Sequence, residues 1–220
     1  MNTLIISSSS KEIFILITKN KKIYLKTITG KGSGSKIAPV IKKMIDELNI
    51  NINDFNEFAI DIGPGSFTGI RISIAFLQGL MINSNKKIKT FYSTDLINIS
   101  FEKEVKKRMV LKRAREDAAY VSLYENKKRL FGPKMISAEE LKKYEDYALL
   151  GDESLYFKEK YNLKNEYYEV KINYTKILEL LENSNSVEIK DLKPLYLQKP
   201  IAVEVWEKKN NKKMPEKNWN

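Results

Sequence analysis

The chain has 220 residues, and its 39 Lys and Arg residues outnumber its 28 Asp and Glu residues to give a formal net charge of +11. It contains no Cys and no His, which excludes disulfides, thiolate catalysis, a Ser-His-acid triad and metal sites built on Cys or His. No apolar stretch approaches the roughly 20 residues of a membrane span, and the N-terminus lacks the pattern of a secretory signal, so we expect a cytoplasmic, globular protein.

The positive charge has two interpretations. A basic protein gains affinity for a phosphate backbone through counterion release, which favours contact with RNA. Only five of the 39 basic residues are Arg, however, and runs of lysine usually form solvated faces. We therefore favour solvated lysine faces over a dedicated RNA-binding surface, which stays open as an alternative.

The first half of the chain predicts the element order βββαβα. Short apolar runs alternate with polar turns, and an amphipathic pattern with a period of about 3.6 residues follows a Gly/Ser-rich loop. The predicted strands are 4–7, 13–18, 23–29 and 58–62, and the predicted helices are 35–48 and 69–82. The second helix is apolar nearly all the way round, so it must be covered on more than one side.

The turn between the strand at 58–62 and the helix at 69–82 is the most informative segment. It consists of Gly63, Pro64, Gly65, Ser66, Phe67, Thr68 and Gly69. Its glycines permit a positive φ and close approach, and Ser66 or Thr68 can cap the helix that follows. Such a helix start accepts an anion or a neighbouring backbone. Asp61 is expected to bond local backbone N–H groups or a partner residue rather than act as a base.

The second half of the chain repeats the first. After a connecting strand and helix at 88–101 and a strand at 109–112, residues 119–131 echo the two strands and the Asn-Lys-Lys turn of residues 13–25. Shorter, charged elements follow at 138–144, 155–161 and 176–181. The repeat predicts two mixed sheets covered by helices. We place an N-terminal lobe at 1–101, a reduced C-terminal lobe at 102–202 and a basic, mobile tail at 203–220, whose start Trp206 can anchor.

The run Gly-Pro-Gly-Ser-Phe-Thr-Gly-Ile-Arg-Ile at 63–72 resembles the signature of the TsaB (YeaZ) family, the dimerisation subunit of the bacterial complex that makes threonylcarbamoyladenosine in tRNA. Segments 37–41, 110–124 and 194–198 agree in order and spacing, so that the resemblance covers roughly residues 1–205. It implies an α/β fold of the actin-like, ribonuclease H-like type, which is the duplicated βββαβα fold of sugar kinases, Hsp70 and actin, with the second lobe reduced.

The resemblance also implies a supporting subunit with no catalytic residue, cofactor or metal. ATP-hydrolysing proteins of this fold carry an Asp after the first strand of each lobe, but those places fall on Ser7 and Arg113 here. Gly34 and Lys36 occupy the stretch where relatives carry histidines, and the loop at 30–36 fails the P-loop pattern. A free-standing actin-fold ATPase or kinase is the alternative, and it lacks these carboxylates. A peptidase activity was earlier ascribed to the family, but this sequence offers no nucleophile, base or metal set for it.

The implied partner is a homologous catalytic transferase subunit of TsaD type, on which the helices at 35–48 and 69–82 dock. The expected interface residues are Val40, Met44, Arg71, Ala75, Gln78, Gly79 and Ile82. The same face can pair two copies of the chain when it is alone. A small ATPase subunit of TsaE type is a further implied partner, and tRNA is expected to contact the chain only within the complex. From the residues alone, an internal helix at 69–82 is an equal alternative.

Arg71 lies in the first turn of the second helix, where a positive charge is unfavourable. This conflict indicates that Arg71 binds a negative group outside its own helix, on a partner or a bound nucleotide.

Overall fold

The computed structural model describes residues 1–115, 117–199 and 201–215. Its apolar runs form two mixed β-sheets with helices packed against them. The elements of the first half are β1 (Thr3–Ser7), β2 (Ile13–Lys19), β3 (Lys22–Ile28), α1 (Ile37–Leu48), β4 (Glu57–Asp61), α2 (Phe67–Leu80), β5 (Ile88–Phe91) and α3 (Ser93–Ser100). Those of the second half are β6 (Lys107–Arg115), β7 (Ala118–Glu125), β8 (Lys128–Ser137), β9 (Ala148–Leu150), α4 (Asp152–Tyr161), β10 (Tyr167–Tyr168), α5 (Lys176–Glu182), β11 (Ser186–Val187) and α6 (Ile201–Asn210). Short 3₁₀ helices lie at Ser33–Lys36, Ile52–Asp54, Glu139–Tyr144 and Ile189–Asp191.

The first sheet has the strand order β11-β5-β4-β1-β2-β3. Its central strand β1 runs antiparallel to β2 and parallel to β4, and all five of its residues are buried. Leu4 and Ile6 point to the core shared with α1 and α2, whereas Ile5 points to the core shared with α3 and α5. Burial on both faces explains why this strand is continuously apolar rather than alternating.

The second sheet repeats the first. Its order β10-β9-β6-β7-β8 matches β5-β4-β1-β2-β3 strand for strand, which confirms the predicted duplication. The repeat is smaller, because the 3₁₀ helix Glu139–Tyr144 stands between β8 and β9 where α1 follows β3 in the first half, and β10 has only two residues. One face of the sheet packs against α4 through Phe157.

The last part of the chain returns to the first sheet. Strand β11 pairs antiparallel with β5, and Leu192 enters the core beneath α1 and α2, although both lie within the range 102–202 that we assigned to the second lobe. Helix α6 follows at the start of the expected tail, with Val203 buried rather than Trp206. Residues 216–220 of that tail lie outside the described residues. Within the described ranges, no helix has the length and apolar character needed to cross a membrane.

Candidate functional site

The glycine turn between β4 and α2 holds the loop that follows β1. The backbone N–H of Ser66 donates to the carbonyl of Ser9 at 2.7 Å. A Cβ atom at Gly65 would lie 2.0 Å from the Ser9 carbonyl oxygen, and one at Gly69 would lie 2.3 Å from that of Ser8. Ser66 is the N-cap of α2, because its Oγ accepts from the N–H of Gly69. The turn therefore receives a neighbouring backbone, which is one of the two ligands that the sequence predicts for it.

The Asp61 side chain links the end of β1, the loop that follows β1 and the glycine turn. Its carboxylate is fully buried and accepts hydrogen bonds from the hydroxyls of Ser7 at 2.7 Å and Ser9 at 2.5 Å, and from the N–H of Gly63 at 2.8 Å. Burial raises the pKa of Asp61 above its ordinary value, and these hydrogen bonds only partly oppose that effect. The prediction that Asp61 bonds to local groups is confirmed.

A cleft of about 720 Å³ separates the ends of β1 and β6. Ser7 and Arg113, the two places where the fold's phosphate loops would need an Asp, both line it. The Ser7 hydroxyl is bound to Asp61, and the Arg113 guanidinium lies 3.8 Å from the centroid of the Tyr156 ring. In the part of the chain that the structure describes, no three acidic side chains are grouped so that they could hold a metal ion.

Lys112 and Glu153, which no sequence motif marks, meet in this cleft. The Lys112 ammonium is buried, and it contacts the Glu153 carboxylate and the Ser10 hydroxyl. Glu153 also accepts from the backbone N–H of Arg113 at 2.7 Å. The contact between Lys112 and Ser10 joins the two repeats, so the cleft carboxylate nearest to Arg113 is already committed to protein partners.

Helix α2 presents one exposed stripe to solvent. Ile70, Ser73, Ile74 and Leu77 face the core. The exposed residues recur every three or four positions, as one helix face requires, and we define the α2 stripe as Thr68, Arg71, Ile72, Ala75, Gly79 and Ile82. Ile72 is 38% exposed and Ile82, just beyond the helix, is 75% exposed. The stripe contains four of the seven residues that the sequence predicts for a partner interface.

The other three predicted interface residues do not lie in the stripe. Met44 is 2% exposed and packs in the core of the first sheet with Ile37 and Ile41, so its assignment to a surface is corrected. The error arises because the face of α1 that carries residues 37, 41 and 44 is the face that covers the sheet. Val40 is half-buried against the same core. Gln78 is half-buried and donates to the Leu192 carbonyl at 3.1 Å, which fixes the segment after β11 against α2.

A cluster of three side chains surrounds one member of the stripe at the start of α2. Arg71 lies with its guanidinium carbon 3.9 Å from the ring centroid of Phe67 and 5.6 Å from that of Tyr196. Its Nη2 donates to the Tyr196 hydroxyl at 3.1 Å. Phe67 is 54% exposed and Tyr196 is 44% exposed. We call these three residues the Arg71 cluster. From the sequence, Tyr196 is only part of the segment 194–198, because nothing local links it to Arg71, which lies 125 residues away.

Comparison with known proteins identifies the family. A model of the family described as "TsaD: tRNA N6-adenosine threonylcarbamoyltransferase" matches residues 27–186, which is more than half of the chain. The tRNA threonylcarbamoyladenosine biosynthesis protein TsaB of Buchnera aphidicola subsp. Schizaphis graminum is 33% identical over 109 residues, covering 49% of this chain and 52% of the relative. The protein of the same name from Buchnera aphidicola subsp. Baizongia pistaciae is 30% identical over 82 residues, or 37% of each chain. The chain thus spans about half or less of these curated relatives.

The solved structure of YeaZ from Pseudomonas aeruginosa matches the fold with a TM-score of 0.71 at 15% identity, over 89% of this chain and 99% of that chain. At this identity the likeness bears on the fold, and it confirms the predicted actin-like, ribonuclease H-like type. The chain therefore belongs to the tRNA N6-adenosine threonylcarbamoyltransferase family, and within that family to the TsaB (YeaZ) branch.

Proposed function

We propose that the chain is a non-catalytic subunit that docks on a homologous transferase subunit of TsaD type and activates it. The product is N6-threonylcarbamoyladenosine in tRNA, next to the anticodon. The observation that carries the proposal is the α2 stripe, since an exposed apolar helix face is the feature that a stable partner would cover. A small ATPase subunit of TsaE type completes the proposed complex, and tRNA contacts the chain only within it.

The composition of the stripe supports docking. Charged residues make up 30% of the chain, yet α2 contains a single charge, Arg71. Depletion of charge at the centre of a patch is typical of an interface that becomes fully buried. The side chains at Ala75 and Gly79 are small, so a partner helix can approach closely, and a Cβ atom added at Gly79 would meet nothing within 4 Å.

The cleft supports the assignment of a non-catalytic role. Phosphoryl transfer by this fold would need carboxylates that hold Mg²⁺ beside the phosphates. Ser7 and Arg113 stand at those places, Asp61 is enclosed by three hydrogen-bond donors, and Glu153 is paired with Lys112. A free-standing ATPase or kinase is the second candidate, because the cleft of about 720 Å³ has room for a nucleotide. ATP hydrolysis by the purified chain, above that of a mock preparation, would favour this second candidate.

The test of docking is the substitution Ala75→Arg at the centre of the stripe. A long charged side chain there should weaken binding to the transferase subunit from the same organism by at least about 100-fold, the range of an interface hot spot. The affinity is measured by isothermal titration calorimetry, and circular dichroism verifies that the variant is folded.

The matched control is Ala202→Arg, because Ala202 is also an exposed helical alanine but lies on α6. It should bind as the wild type does. Unchanged affinity of the Ala75→Arg variant would show that the α2 stripe is not the docking surface.

A further inference from the structure

Arg71 is a lone cation in the surface that the proposed function assigns to docking. Its contacts are the rings of Phe67 and Tyr196 and the hydroxyl of Tyr196. Among the described residues, no Asp or Glu oxygen lies within ion-pair distance of its guanidinium. In the free chain this arrangement costs little, because the guanidinium is exposed to water.

Docking would change the surroundings of Arg71. A partner that covers the α2 stripe also approaches Arg71, because Arg71 is itself an exposed member of the stripe. A charge that is removed from water without an opposite charge carries a large desolvation penalty, which weakens an interface. A partner that covers the stripe therefore binds more tightly if it supplies a negative group to Arg71.

The Arg71 cluster also holds the guanidinium ready for a ligand. Stacking over Phe67 at 3.9 Å and the hydrogen bond to Tyr196 limit its orientation, while only one of its five N–H donors is used by that bond. A fixed, planar guanidinium with unused donors matches the two oxygens of a carboxylate. Because the group is already oriented, less conformational entropy is lost when the pair forms.

We propose that the docked transferase-type subunit carries an Asp or Glu carboxylate that pairs with Arg71 and contacts the Arg71 cluster. This inference rests on the proposed function and adds the chemistry of the partner's surface. Residue Tyr196, from the segment after β11, thereby becomes part of the docking surface together with α2.

A second copy of the chain fits this role less well. A two-fold contact of stripe on stripe would bring together surfaces whose only charge is Arg71 itself. The acids on the exposed face of α1 are already paired within the helix, Asp46 with Lys42 and Glu47 with Lys43. A different chain with its own carboxylate is the occupant that satisfies Arg71.

The first test is Arg71→Met, which keeps a long apolar side chain over Phe67 and removes the charge. The loss of a desolvated charge pair should weaken transferase binding at least about 10-fold and reduce its dependence on salt. Far-UV circular dichroism and urea unfolding verify that the chain itself is unchanged. Binding of the Arg71→Met variant with wild-type affinity would overturn the inference, and weaker self-association without weaker transferase binding would overturn the choice of partner.

The second test finds the carboxylate directly. A water-soluble carbodiimide couples an amine to a carboxylate in contact with it, so the Arg71→Lys variant in the mixed complex should yield a cross-link from Lys to an Asp or Glu of the transferase, located by mass spectrometry. The Arg71→Met complex is the control without the amine. Absence of a cross-link in an intact Arg71→Lys complex would contradict the inference.

These outcomes are separable from failure of the proposed function. If the Ala75→Arg variant loses binding and the Arg71→Met variant does not, docking stands and only the carboxylate is refuted. If the wild-type chain binds no transferase subunit, both fail together.

Discussion

Two glycines of α2 predict opposite effects of the same substitution. A Cβ atom at Gly69 would lie 2.3 Å from the backbone oxygen of Ser8, and a backbone oxygen cannot move away by changing a rotamer. A Cβ atom at Gly79 would meet nothing within 4 Å. Both residues lie in the helix, so the general preference of a helix for Ala over Gly applies to both.

The expected magnitudes follow from this contrast. Replacement of Gly by Ala stabilises a helix by about 1 kcal/mol, and less near its end, so Gly79→Ala should raise the free energy of unfolding by about 0.5 kcal/mol. At Gly69 the same gain is outweighed by overpacking, which costs about 1–3 kcal/mol and sits at the upper end here because the obstacle is backbone. We expect Gly69→Ala to lower the free energy of unfolding by about 1–2 kcal/mol.

The assay is urea unfolding of both variants and the wild type, followed by circular dichroism. Gly69→Ala should unfold at a lower urea concentration than the wild type and Gly79→Ala at a slightly higher one, with similar slopes. If both variants shift in the same direction by the same amount, the close packing of the glycine turn against the Ser8–Ser9 loop is refuted.

Two further predictions concern titration and RNA. Because burial raises the pKa of Asp61, the folded chain binds this proton more tightly than the unfolded chain, so stability from this group is lost as the pH rises from about 3.8 through the folded pKa. Asp61→Asn does not titrate, so urea unfolding between pH 4 and 7 should show the wild type losing stability relative to this variant as the pH rises. The loss is about 1.4 kcal/mol for each factor of ten by which the folded chain binds the proton more tightly than the unfolded chain does. A relative gain of stability by the wild type would contradict the burial argument. Since lysines such as Lys89, Lys106 and Lys107 pair with neighbouring acids, we expect the chain alone to bind tRNA only in the non-specific range, with a Kd of about 10⁻⁶ M or weaker at physiological salt. A tight complex in a filter-binding assay would instead favour a dedicated RNA surface.

The sequence predicts the strands and the duplication well, because these depend on local apolar runs and on turns. The strands β1, β2, β3, β6 and β7 fall within a few residues of the predicted segments, whereas β8 continues to Ser137, beyond the predicted repeat at 119–131. The predicted helix at 69–82 and the structure's α2 agree equally well. Helix α6 was not predicted, because the Lys- and Asn-rich composition of residues 203–220 as a whole indicated a mobile tail.

The orientation of α2 is beyond local pattern, because the helix is apolar on nearly every side. The structure buries a polar residue, Ser73, whose hydroxyl donates to that of Ser8 at 2.7 Å, while Ile72 and Ile82 remain exposed. A hydrophobicity rule would choose the opposite arrangement. The side that faces the sheet is decided by the serine loop after β1, which contacts α2 across 65 residues of sequence.

The remaining features of the site arise from contacts between distant segments. Lys112 meets Ser10 across 102 residues, and Arg71 meets Tyr196 across 125 residues. No periodicity or sequence motif predicts either contact. The hint that Arg71 lacks a local negative partner was available from its place at a helix start, whereas the aromatic groups that hold it required the folded chain.

The central claim is that the α2 stripe docks a transferase subunit, and the most direct test is light scattering combined with size-exclusion chromatography. The chain is measured alone, then mixed with the transferase subunit from the same organism. The account predicts a stable mixed species with the summed mass of both subunits, which replaces any self-associated form of the chain. Separate elution of the two proteins at all mixing ratios would contradict the account, and the cleft between the two sheets would then be the site to test for nucleotide binding.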